Sequence, residues 1–166
     1  MKKQYIILLV AVLGLVFLDQ LTKQLIASNL ALGESIVVIK NFFVITSHRN
    51  DGAAWSIFSG QMTFLYIVTF FAAILFYYLG KDINYDTKKF YSIAITLMIA
   101  GAIGNFIDRI IFKEVIDFLD FYIFGYDFPT FNVADMCLVI GVIVFAVDVI
   151  WEDLINGKNK DREQSE

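Results

Sequence analysis

The sequence predicts an all-α integral membrane protein, with four transmembrane helices and a small extracytoplasmic β-rich segment between helices 1 and 2. Three observations carry this. Of 166 residues, 58% are hydrophobic and only 18% charged, a balance too apolar for a soluble domain. Four apolar runs reach the ~20 residues that cross a hydrocarbon core. The alternation of a transmembrane barrel is missing, and the runs are too long for its strands. Backbone groups within a bilayer must bond one another, so helices are the expected form of each run.

The spans fall at about 5–27, 62–79, 90–112 and 132–151, with 152–166 as a cytoplasmic tail and no sign of a second domain or repeat within 1–166. Lys2 and Lys3 precede the first run as in a signal peptide, but the run continues through Asp19 and Lys23 with no small-residue cleavage site. It reads as a retained span. Segment 28–61 contains SIVVIKNFFVIT, rich in β-branched and aromatic residues, which predicts a strand pair on the membrane surface. Asn50, Asp51 and Gly52 then form a tight turn, with Gly52 expected at positive φ. Pro129 lies just before the fourth span, where it ends a loop without breaking a helix. Lys2, Lys3, Lys81, Lys88, Lys89, Lys158, Lys160 and Arg162 share one side, against Lys40, Arg49 and Lys113 on the other. The positive-inside rule then places both termini in the cytoplasm and segments 28–61 and 113–131 outside.

Composition also removes chemistries. A net charge of −4 leaves no basic field for nucleic acid. One cysteine, Cys137, excludes an internal disulfide, and one histidine, His48, argues against a histidine-rich metal centre. Neither G-x-S-x-G nor H-E-x-x-H occurs. No cofactor and no metal are expected.

Polar residues inside the spans point to a site, because an ionisable group near hydrocarbon is costly. Asp19 and Lys23 lie in the outer half of the first span, spaced to pair as i,i+4 neighbours. Asn105, Asp108 and Arg109 lie at the outer end of the third, where Arg109 is expected to pair with Asp108 or Asp19. Asp117 follows just beyond it, and Asn132 and Asp135 occupy the first turn of the fourth. Three spans thus bring their costly groups to one height, whereas Asp148 lies near the opposite end. Two carboxylates there suggest a pair sharing one proton, the chemistry of an aspartic protease. Asp135, on a helix start, is expected to carry the charge. Asp117, between Ile116 and Phe118, is expected to hold the proton. A proton-coupled transporter would instead place its acids near the midplane and show repeat symmetry.

Five motifs in order, DQLTK (19–23), RNDGAAWS (49–56), GNFIDR (104–109), VIDFLDF (115–121) and FNVAD (131–135), resemble the lipoprotein signal peptidase (signal peptidase II) family. The resemblance covers nearly the whole chain. It implies one membrane-embedded aspartic endopeptidase domain in the bacterial cytoplasmic membrane, active on its outer side. Apart from the resemblance, the protein is expected to act as a monomer among membrane lipids. Diacylated prolipoproteins would be its substrates, cut before the lipidated cysteine, and globomycin-type cyclic peptides its inhibitors. The family's catalytic pair maps onto Asp117 and Asp135. Its supporting positions map onto Asp19, Lys23, Asn50, Asn105, Asp108, Arg109 and Asn132, and Gly52 sits in the turn beside Asn50. One departure is Lys113, where many relatives carry glycine.

Overall fold

The computed structural model describes residues 2–163. Four helices, α1 (Lys2–Asn29), α2 (Met62–Gly80), α3 (Lys89–Phe112) and α4 (Val133–Glu163), are joined at one end by a four-stranded sheet. All four are long and apolar enough to cross a membrane. Each starts and stops within about three residues of expectation, except that α4 runs on through the supposed tail to Glu163. Residues 164–166 of that tail lie outside the described residues.

Helix α3 is central: half of its most apolar stretch is buried, against 17% or less in the other three helices. Small residues allow this. A Cβ at Gly101 would run into the carbonyl oxygen of Ala134 and the side chain of Leu138, so only glycine lets α3 and α4 approach here. At the end away from the sheet, Ile83, Ile95 and Met98 form a core against Leu138 and Phe145. There Gln4 accepts from the backbone N–H of Tyr85 (2.9 Å) and donates to Asp86 (2.8 Å), tying the start of α1 to the α2–α3 connection. Lys2, Lys3, Lys81, Lys88 and Lys89 therefore share one end of the bundle.

The description as all-α is too narrow. The strand pair expected in segment 28–61 is present as β1 (Ser35–Ile39) and β2 (Phe43–Asn50). It continues into β3 (Val115–Ile123) and β4 (Tyr126–Asp127), antiparallel throughout in the order β1-β2-β3-β4. β3 lies in the other connection, where no strand was expected. Its first four residues are all buried, so the in–out alternation that marks a strand is missing there. Its partner β2 is also remote in sequence, with Asp117 facing His48 and Val115 facing Asn50 across the ladder.

Two features of this end position the site. The N–H groups of Phe118 and Leu119 both donate to the carbonyl of Phe131 (3.0 and 2.8 Å), and Phe131 N–H returns a bond to Leu119 (3.0 Å). The residues entering α4 are thereby pinned beside the strand that carries Asp117. Lys113 ends α3 in the left-handed conformation (φ 63°), its N–H bonded to Arg109 (3.2 Å). Glycine adopts this C-terminal geometry without the Cβ penalty that any L side chain meets. The Lys113→Gly variant should gain about 1 kcal/mol of stability, the relief exceeding the extra entropy of an unfolded glycine. A higher midpoint of thermal unfolding in detergent is the measurement; a lower one contradicts this account of the helix end.

Candidate active site

Lys23 is the centre of a buried network. Its ammonium reaches Asp19 (2.9 Å), Asp108 (3.0 Å) and the side-chain carbonyl of Asn105 (2.9 Å), so three donors meet three acceptors. Lys23, Asp19 and Asp108 are each 1% exposed. The carboxylates are met further by backbone: Asp19 accepts from Ala134 N–H (2.8 Å), Asp108 from Ile116 N–H (3.1 Å). Gln20 completes the set, donating to Asp108 (2.9 Å), Gly104 O (3.1 Å) and Asp19 (3.2 Å). A Cβ on Gly104 would lie 2.6 Å from the Asp19 carboxylate, so this position must stay bare for the network to close. One cation thus ties α1 to α3, to the start of β3 and to the first turn of α4.

Beside it lies the carboxylate pair. Asn132 precedes α4 and caps it reciprocally: its Oδ1 accepts from Asp135 N–H (3.0 Å) while its own N–H donates to Asp135 Oδ2 (3.1 Å). The Asn132 amide nitrogen is left to donate to Asp117 Oδ1 (2.6 Å) and Asn105 Oδ1 (3.2 Å). Asn105 in turn donates to Asp135 Oδ1 (2.7 Å), and Asn50 to Asp117 Oδ2 (3.0 Å). All four carboxylate oxygens therefore hold one N–H each, and Asn132 touches both acids. Both line a cavity of about 660 Å³. Burial first, and then the negative charge of Asp135, push the Asp117 carboxyl up to about 7, against the lowering effect of its two amide donors.

Asn50 and Gly52 approach from the other side. Asn50 Oδ1 accepts from Gly52 N–H (2.9 Å), a local turn that aims the amide at Asp117. Gly52 is not at positive φ; the left-handed residues of this loop are Trp55, Ser56, Phe58 and Gly60. Glycine is needed for room instead, since a Cβ would sit 2.7 Å from Ile57 O. The expected pairing of Arg109 with Asp108 or Asp19 is also overturned. Both acids are taken by Lys23, and Arg109 donates to Gly52 O (3.0 Å), its buried Nε without a partner among the described residues. At the mouth, Trp55 lies edge-on to Phe128 and 3.4 Å from the Tyr126 hydroxyl.

The structure gathers every expected polar residue, Asp19, Lys23, Asn50, Asn105, Asp108, Arg109, Asp117, Asn132 and Asp135, at the sheet end of the bundle, and leaves Asp148 far along α4. Sequence reasoning passed over Gln20, although an amide beside an intramembrane acid is itself a signal. It also missed Tyr66, whose hydroxyl donates to Arg109 O (2.8 Å).

Two solved structures of bacterial membrane enzymes share this fold. One has a TM-score of 0.80 at 46% identity, covering 88% of both chains. The other scores 0.75 at 48% identity, covering 86% of this chain and 91% of its own. The class is therefore a multi-pass membrane enzyme. A sequence model of the family described as Signal peptidase (SPase) II matches residues 10–151. Lipoprotein signal peptidases of Staphylococcus aureus, including that of strain JH9, are 50% identical over 165 residues, 97% of this chain and 99% of theirs. The chain belongs to the signal peptidase II family, and it is a protease.

Lys23→Met leaves two buried carboxylates facing each other without a cation. Breaking such a network costs about 3–5 kcal/mol. A matching fall in unfolding free energy is expected, and a thermal unfolding midpoint within a degree of the parent would show that Lys23 is not the tie described.

Proposed function

We propose that this protein removes the signal peptide from diacylglyceryl-modified prolipoproteins. It cuts on the N-terminal side of the lipidated cysteine with a water activated between Asp117 and Asp135. The observation that carries this reading is Asn132 joining two carboxylates on one cavity, its side-chain amide on Asp117 and its backbone N–H on Asp135, at one end of the helical bundle.

The chemistry follows from the unequal surroundings of the acids. Asp135 in its ionised form takes a proton from the water, whose oxygen attacks the scissile carbonyl. Asp117 gives its proton to the carbonyl oxygen, forming a neutral tetrahedral diol. Asp135 then delivers its proton to the departing nitrogen as the C–N bond breaks. A diol hydroxyl returns the other proton to Asp117, and the pair is restored. Asn132, Asn105 and Asn50 hold the carboxylates, while the Asp19–Lys23–Asp108 network sets the relative heights of the helices. Arg109 and Gly52 hold the loop that covers the cavity.

The substrate's signal helix and acyl chains reach the acids from the bilayer. The lysine distribution supports cytoplasmic termini and a site facing outward, so the cut is made on the side where lipoproteins are anchored. The chain works as one peptidase unit, as a monomer, and globomycin-type cyclic peptides compete for the same cavity. The resemblance of all five motifs to the family supports these assignments.

Asp117→Asn and Asp135→Asn should each reduce processing of a diacylated prolipoprotein by at least about a hundredfold while the protein remains folded. Asp148→Asn should stay within about twofold of the parent, a surface-like effect. Gel mobility of the processed product reads all three, and full processing by either dyad variant sinks the mechanism.

The pH profile gives a separate check. Turnover should fall on the acid side as Asp135 takes up a proton, and on the alkaline side as Asp117 loses its own near pH 7. Asn50 donates to the charged form of Asp117 and so lowers its pKa. Asn50→Leu removes that donor, and the alkaline limb should move to higher pH; movement in the other direction contradicts the assignment.

A further inference from the structure

A second cavity, about 880 Å³, lies between α1, α2 and α3, facing away from the carboxylates. Its walls are apolar, with Leu8, Ile99, Ile103 and Phe106 opposite the aromatic face of α2, and its depth comes from Ala73 and Ala102. From Tyr66 to Lys81 the groove runs roughly 22 Å along the α-helical rise, more than the ~15 Å of one leaflet's hydrocarbon. An apolar cleft of this kind does not hold water. Only Leu65 and Gly80 of helix α2 are buried by protein, so most of its surface, this groove included, is left to lipid.

One end of the groove is charged. The Lys81 ammonium lies 4.6 Å from the ring centroids of both Tyr77 and Tyr78, and no carboxylate lies within 4.0 Å of it among the described residues. Lys88 ends the same connection and Lys89 begins α3. Of the acids there, Asp86 is engaged by Gln4 (2.8 Å), leaving Asp82 as the nearest in sequence. Tyrosine and lysine at the mouth of an apolar groove are the pattern of a membrane boundary.

We infer that this groove holds one phospholipid with an anionic headgroup, its phosphate on Lys81 and one acyl chain lying along the cleft between α2 and α3. The lipid supplies the packing that α2 lacks against α1. It enters from the leaflet opposite the sheet, so it is distinct from any substrate lipid reaching the carboxylates.

The test uses the full-length protein in mild detergent, with phosphatidylglycerol and phosphatidylcholine of identical chains added in competition and bound lipid counted by native mass spectrometry. The parent protein should retain one phosphatidylglycerol, preferred by about fivefold, the effect of one lysine at a membrane surface. Lys81→Gln should remove the preference while keeping the lipid. Ala73→Phe on one wall, and independently Ala102→Phe on the other, should displace both lipids. Equal retention of the two lipids by the parent, or undiminished retention in both filled variants, would show ordinary annular lipid and overturn the proposal.

Discussion

The ammonium of Lys23 is the interaction on which the rest of this molecule depends. An unpaired charge in this setting would carry a large desolvation cost, which two carboxylates and an amide oxygen offset here at 2.9–3.0 Å. Because each of those acceptors sits on a different element or holds one, the network acts as a geometric reference for the whole sheet end. Asp19 holds the first turn of α4 through Ala134, and Asp108 holds the start of β3 through Ile116. Asn105 faces both ways, accepting from Lys23 and donating to Asp135. The Lys23 cluster and the Asp117–Asp135 pair are thus one continuous hydrogen-bonded system.

That continuity sets two similar side chains in different surroundings. Asp117 rides on a strand, with both neighbouring backbone faces buried, and its donors are neutral amides. Asp135 rides on a helix start, where backbone N–H groups and the dipole favour negative charge. Asn132 belongs to both environments, capping the helix with one side-chain atom and touching the strand acid with another. The two acids differ in the element that carries each and in the groups that donate to it. That difference comes from secondary structure.

Much of this was legible in the residues. Spans follow from hydropathy, and the polar positions stood out because each is expensive where it lies. What could not be read was partnership. Arg109 and Asp108 are adjacent in sequence, but adjacent residues on a helix point about 100° apart. Asp108 instead faces Lys23 on another helix. Gly52 looked like a turn glycine in an Asn-Asp-Gly run, yet its role is to admit the backbone of Ile57. β3 escaped notice because burial on both faces erases alternation, and its ladder is with a segment remote in sequence. Gln20 carries no charge, so a search for ionisable groups passed it by.

The pinning of Phe131 against β3 has a consequence for biogenesis. The two acids reside on the α3–α4 connection and on α4, and Asn132, which donates to both, belongs to the junction between them. A nascent chain that has threaded only three of its segments into the bilayer holds Asp117 without its counterpart. The proposed dyad therefore exists only once α4 has packed against β3, since neither element carries both acids.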